Sequence, residues 1–179
     1  MRHEYVDGFL IAKAGESVNH NRIVRNLFRF FEPYLDESPL ELFGLSLKLK
    51  VGETIFYYPD VMVVRENSQR ADAYLCTKPV LVAEVLSPAT ETRDLHEKLN
   101  AYTRNKSLKE YLIISQDRVS VHHYYRPRKD YWLVRCLTDL TQECDLLLNG
   151  LRLPLAKIYH RVIFPPSLTA PTEKQNTIP

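Results

Sequence analysis

The spacing of apolar and polar residues changes several times along the chain, and each change marks an element. Tyr5-Val6-Asp7-Gly8-Phe9-Leu10-Ile11 sets an Asp-Gly pair between apolar residues, the pattern of a tight β-hairpin. Val24, Leu27, Phe28, Phe31 and Leu35 recur at helical spacing and predict a helix over residues 17–34, with Pro33 and Pro39 limiting its extension. Leu45, Leu47, Leu49 and Val51 alternate with Ser46, Lys48 and Lys50, which predicts a half-buried strand. Gly52-Glu53 makes a turn, and residues 55–64 return as a second strand that Pro59 bulges or restarts. Residues 65–78 are polar and read as a loop, and 80–86 are an apolar run of central-strand type. Thr90 N-caps a helix that runs to about Asn105. Residues 111–114 form another buried strand, and 119–125 with 131–137 form a hairpin.

The order is helix, three strands, helix, strand, with a hairpin before and strands after. It predicts an α/β (α+β) fold around a central mixed β-sheet flanked by helices, with N-terminal and C-terminal β-hairpins. At 179 residues with 45% hydrophobic content, one domain over 1–164 has enough apolar side chains for a full core. The end of the chain, 165–179, is rich in proline and is expected to be a disordered tail.

Two of the apolar runs each contain a carboxylate. Asp60 follows Tyr58-Pro59 and precedes Val61-Met62-Val63-Val64, and Glu84 lies within Val80-Leu81-Val82-Ala83-Glu84-Val85-Leu86. Acidic side chains are almost never fully buried without a partner, because desolvating the charge costs several kcal/mol. A divalent metal held between Asp60 and Glu84, with the Val85 carbonyl as a further oxygen ligand, would remove that cost.

On the helix that follows, Leu95, Leu99 and Tyr102 form an apolar stripe, and Lys98 falls at its edge, within reach of the Glu84 strand. Two carboxylates and a lysine are a recurrent set for phosphodiester hydrolysis. The acids hold Mg²⁺ or Mn²⁺, and the lysine orients the attacking water or stabilises developing charge. His20 shares the apolar face of the first helix at its N-terminal end.

Each residue also has a plainer reading. Asp60 could start a strand, Glu84 could form a buried salt bridge with Lys98, and Lys98 could pair with Asp94 at i, i+4. His20 could be a structural, partly buried histidine. His122 and His123, adjacent on a strand, face opposite ways and do not chelate one ion together.

Charge and cysteine content narrow the picture only slightly. A formal net charge of +2 does not announce nucleic-acid binding. Candidate DNA-backbone contacts are Lys48 and Lys50, then Arg93, Arg104, Lys106 and Lys109 around the second helix, and Arg126, Arg128 and Lys129 at the hairpin tip. Cys76, Cys136 and Cys144 form neither a zinc pattern nor a disulfide framework, so a reducing cytoplasm is expected. No signal peptide or membrane span is expected.

Tyr58-Pro59-Asp60-Val61, Val82-Ala83-Glu84-Val85-Leu86-Ser87-Pro88 and Asp94-Leu95-His96-Glu97-Lys98-Leu99-Asn100-Ala101-Tyr102 together resemble the Uma-two family within the PD-(D/E)XK nuclease superfamily. Glu110-Tyr111-Leu112-Ile113-Ile114 and Leu151-Arg152-Leu153-Pro154-Leu155 match as well, and the resemblance spans roughly residues 4–164. It implies a restriction-endonuclease-like core and a metal-dependent endonuclease acting on DNA, leaving a 5′-phosphate and a 3′-hydroxyl. It implies Asp60, Glu84, Lys98 and His20 as the catalytic set and a homodimer that cuts two strands. The superfamily lysine normally stands two residues after the glutamate. Leu86 occupies that place here, and Lys98 matches a lysine moved to the following helix. The competing expectation is a catalytically inactive nuclease-fold protein acting as a nucleic-acid-binding or oligomeric interaction module.

Overall fold

The structure, a computed structural model, describes residues 3–12, 15–44, 46–66, 73–86, 94–129 and 131–165. The predicted Asp-Gly hairpin is present: β1 (His3–Val6) pairs antiparallel with β2 (Phe9–Ala12), and Asp7 and Gly8 turn the chain at φ of 44° and 99°. Positive φ at both central residues gives the hairpin turn whose twist matches that of the strands.

Helix α1 (Val18–Leu35) follows. Ser17 caps it by accepting the His20 amide at 3.0 Å. Ile23, Val24, Leu27, Phe31 and Leu35 bury one stripe, while Phe28 is only partly covered. Pro33 lies inside the helix, which ends two residues later at Leu35.

The three strands after α1 differ from the expected ones. The first is β3 (Leu40–Phe43), a four-residue strand that the alternation at 45–51 masks. Only Lys48–Lys50 of that alternating stretch is a strand (β4), and Leu45 lies outside the described residues. The return stretch is split at Pro59, as its position predicts, into β5 (Ile55–Tyr57) and β6 (Val61–Arg65). The split sends the two halves to different sheets. β5 joins a five-stranded sheet of order β2-β1-β5-β4-β7, where β7 is Leu75–Cys76 within the stretch read as loop. β6 joins a six-stranded sheet completed by β8 (Pro79–Leu86), β9 (Glu110–Ser115), β10 (Val121–Arg128) and β11 (Tyr131–Leu137), in the order β11-β10-β9-β8-β6-β3.

Strands β3, β6 and β8 form an antiparallel meander, and β9 lies parallel to β8. A parallel neighbour requires a crossover, and a helical segment fills it. The segment begins as a π-helical turn, Asp94–Lys98, and continues as α2 (Leu99–Arg104). The predicted Thr90 cap and Arg93 lie outside the described residues. A short hairpin, β12 (Glu143–Asp145) with β13 (Arg152–Pro154), and helix α3 (Leu155–Ile158) close the C-terminal side. Of the expected tail, 165–179, all but Pro165 lies outside the described residues.

The six-stranded sheet is covered on both faces. Leu81, Ala83 and Val85 of β8 join Val61 and Val63 in the core under α1. Val82 and Leu86 join Met62, Val64 and Tyr102 in the core under α2. This two-sided burial is why β8 reads as a continuous apolar run rather than an alternating one.

The hairpin-tip arginine has a different place from the one expected. Arg126 is buried, and its Nη2 donates to the carbonyls of Asn105, Lys106 and Leu108 while the guanidinium lies 5.1 Å from the Trp132 ring. It holds the chain just after α2 and cannot serve DNA phosphates. Arg128 and Lys129 remain exposed. Arg126→Met is expected to destabilise the fold by about 2–4 kcal/mol, because charge-assisted hydrogen bonds are lost and buried carbonyls are left bare. Urea unfolding measures it, with no change in midpoint as the contrary result.

Of the three cysteines, Cys76 and Cys144 are buried and Cys136 is exposed. Burial pushes the Cys144 thiol up to about 12, aided by the nearby Glu110 and Asp145 charges. Titration with Ellman's reagent at pH 8 should therefore find one reactive thiol in the native protein and three after denaturation. Three in the native state would contradict the packing.

Candidate active site

The site assembles where the two sheets and two helices meet. Asp60 lies in the link between β5 and β6, one residue before β6 rather than within it. The Val61↔Ala83 pair brings Asp60 alongside the Glu84–Val85 end of β8, where its side chain accepts the Val85 amide. Gly44 allows the close packing this needs: a Cβ there would overlap the Asp60 carbonyl oxygen and press on the Phe28 ring. Gly44→Ala is expected to displace Asp60 and lower stability by about 1–3 kcal/mol, because the added methyl overpacks the site. Thermal unfolding checks this, and an unchanged melting temperature would contradict it.

The two carboxylates are reached from opposite faces of the sheet. On the α1 side, Asp60 Oδ2 lies 3.1 Å from His20 Nε2 and accepts the Val85 amide at 2.8 Å. Glu16 Oε2 stands 3.6 Å from the other ring nitrogen of His20. One donor atom from each of Glu16, His20 and Asp60 can be chosen so that all lie within 4.8 Å of one another. His20 is buried, and its Nδ1 has no hydrogen-bond partner.

On the α2 side, Glu84 Oε1 accepts from Tyr102 OH at 2.8 Å and meets Lys98 Nζ at 3.0 Å. Lys98 Nζ also stands 3.6 Å from Glu4 Oε1, which in turn accepts the Tyr58 amide at 3.2 Å. The Tyr57 ring lies 5.6 Å from the ammonium. Tyr57 donates to Glu97 at 3.0 Å, and burial together with the Glu97 charge raises its phenol well above the ordinary range.

Sequence geometry puts Lys98 at the edge of the apolar stripe, but it is only 3% exposed, whereas Leu95 and Leu99 are half-covered. The π turn explains the difference. Its wider i→i+5 winding rotates Lys98 toward the sheet, and such turns recur at functional sites.

All four expected side chains, Asp60, Glu84, Lys98 and His20, are thus buried in one region. Sequence reasoning missed Glu4, Glu16 and the Tyr102 hydroxyl. The i, i+4 spacing of Glu16 and His20 was a readable signal. Glu4 shares the strand period of Val6, but nothing in the sequence says that the second sheet carries it to Lys98. Tyr102 was visible only as an apolar stripe residue. Among the expected backbone contacts, Lys48 and Lys50 are half-covered and lie 6.0 and 5.7 Å from the Phe56 ring, while Arg104, Lys106 and Lys109 are exposed.

A family model described as "Uma2: Putative restriction endonuclease" matches residues 1–156, and that span holds every one of these side chains. The chain belongs to the Uma2 family. Two Synechocystis relatives, the uncharacterized proteins sll1609 and slr1290, are 35% identical over 145 residues and 36% identical over 164 residues. The first alignment covers 79% of this chain and 80% of the relative, the second 91% and 86%. Among solved structures, a protein titled "a putative nuclease belonging to DUF820", from Anabaena variabilis, matches with a TM-score of 0.73 at 17% identity, over 88% of this chain and 89% of that one. The likeness shows that this Uma2 chain has a nuclease fold, and its mixed sheet agrees with the one that the sequence order predicts. No helix among the described residues is long and apolar enough to cross a membrane.

Proposed function

We propose that this Uma2 protein is a metal-dependent endonuclease that hydrolyses DNA phosphodiester bonds. One observation carries the reading. Two carboxylates at the same end of neighbouring strands, Asp60 and Glu84, are nearly inaccessible to water, and a third, Glu4, is buried beside Lys98 with Glu84. Buried ions of one sign in excess are costly to desolvate. A divalent cation between Asp60 and Glu84 would offset the negative charge gathered there.

The donor set suits such an ion. Asp60 and Glu84 supply hard oxygens, and the Val85 carbonyl a third, as Mg²⁺ or Mn²⁺ prefers. A bound divalent ion would polarise the phosphoryl group and acidify water. The protein residues do the rest. The Val85 amide and His20 fix the orientation of Asp60, and Tyr102 fixes that of Glu84. Lys98, held by Glu84 and the Tyr57 ring, presents an ammonium to the charge that develops on the phosphate. The buried surroundings strengthen that interaction. Two chains acting as a homodimer would cut both strands with one site each.

The alternative, a non-catalytic nucleic-acid-binding or oligomeric module, has one observation in its favour. Glu84 Oε1 already receives both Tyr102 and Lys98, as in a closed structural ion pair. A plasmid-nicking assay with Mg²⁺ or Mn²⁺, run with and without EDTA, separates the two. The nuclease reading expects metal-dependent nicking that EDTA abolishes. No nicking with either ion, in a protein that still binds DNA, would favour the module.

A further inference from the structure

The C-terminal half of α1 and the segment around α3 enclose a concave cavity of about 490 Å³ on the surface, away from the carboxylates. Its walls carry Arg29, Arg152 and Lys157, with Phe30 and Tyr34 beside them. No acidic side chain lines it among the described residues. Arg152 is partly engaged by Asp145, with Nε to Oδ1 at 3.7 Å, whereas Arg29 and Lys157 are exposed. The floor is fixed: Asn26 is buried and donates to the carbonyls of Ile158 and His160 at 2.9 and 2.8 Å, which locks α1 to α3. The Phe30 and Tyr34 rings lie 5.4 Å apart at 47°, and Tyr34 is about half exposed.

Like charges gathered in a rigid pocket repel one another unless an anion joins them. The anion here must also suit an aromatic wall. A phosphate with a planar, unstacked base meets both requirements, and this combination of basic groove and stacking ring is how single strands are held. The cavity volume falls in the range of small-molecule sites. Arg29 stands nine residues beyond His20 on α1, an axial rise of about 13 Å and about half a turn round the helix, so a strand joining the two places follows the helix surface round.

We propose that this cavity is a second nucleic-acid subsite, which holds one nucleotide of an unpaired DNA strand while the strand's continuation reaches the carboxylate site. Arg29 and Lys157 take the phosphate, and Tyr34 stacks on the base. The inference rests on the nuclease reading for its substrate class, and its test is independent of cleavage.

The test is fluorescence anisotropy in EDTA with a labelled oligothymidylate and with a duplex of matched length. It compares wild type, Arg29→Gln/Lys157→Gln and Tyr34→Ala. The double variant should weaken single-strand binding by about tenfold and reduce the slope of log affinity against log salt by about 0.7, the share of one phosphate. Tyr34→Ala should weaken single-strand binding by about fivefold or more with the slope unchanged, and should spare the duplex. Unchanged affinity and slope in the double variant would overturn the subsite. So would a Tyr34→Ala variant that binds single strands as wild type does, or equal losses for single strand and duplex. Absence of oligothymidylate binding by wild type would overturn it too. If wild type fails to nick plasmid while these binding effects hold, the nuclease reading fails and the subsite stands.

Discussion

Glu84→Gln is expected to reduce DNA cleavage by at least about a thousandfold while leaving the fold intact. The effect on rate follows from losing one of the two carboxylates proposed to hold the metal, since metal assistance to phosphoryl transfer is worth several kcal/mol. The effect on stability follows from charge. Glu84 is 1% exposed and shares its Oε1 between Tyr102 and Lys98. Glutamine keeps an oxygen for the Tyr102 hydroxyl, and Lys98 keeps Glu4 as an ion-pair partner. One negative charge leaves a region that holds too many. The metal-free variant should therefore unfold within about 1 kcal/mol of wild type, or be more stable, as happens when a site strained for function is relieved. Plasmid nicking and thermal unfolding on the same preparation check both halves. Retained cleavage, or a loss of several kcal/mol, would point to a structural ion pair instead.

Lys98→Met has the opposite signature. The ammonium pairs with both Glu4 and Glu84, and it is 3% exposed. Removing it leaves the acids facing one another in a poorly solvated site. Breaking one side of a buried pair typically costs about 3–5 kcal/mol. For a chain of this size that lowers the melting temperature by about 10–15 °C. Saturating Mn²⁺ should recover part of the loss, because binding to the folded state alone stabilises it. Cleavage should fall by about a hundredfold to a thousandfold even in the metal-loaded variant. Differential scanning fluorimetry with and without Mn²⁺ measures the first effect. Equal destabilisation by Lys98→Met and Glu84→Gln, with no response to metal, would contradict the excess-charge account.

Much of this arrangement was legible in the chain because burial leaves a mark on composition. A glutamate between Val82, Ala83, Val85 and Leu86 can sit only in a two-sided strand, and there it needs a partner. Pro59 announces a break, and the break is where the chain passes from one sheet to the other. The Asp7-Gly8 pair fixes its hairpin through backbone conformation alone. Other features left little mark. β3 is four residues long and precedes a stretch with a cleaner alternation, so the pattern points to β4 and passes over β3. The π turn that rotates Lys98 inward depends on packing, and helical periodicity assumes its absence. Arg126 looks like a loop cation until three backbone carbonyls after α2 are placed around it. Glu4 reaches Lys98 only because β1 pairs with β5, a contact between residues some fifty positions apart.

The most direct test of the central claim is calorimetric titration of Mn²⁺ into the wild-type protein and into Glu84→Gln. The account predicts saturable binding by the wild type and its loss or strong weakening in the variant, with the fold unchanged. Wild type that takes up no metal, or a variant that binds it equally well, would contradict the carboxylate site, and Glu84 would then be half of a structural ion pair with Lys98.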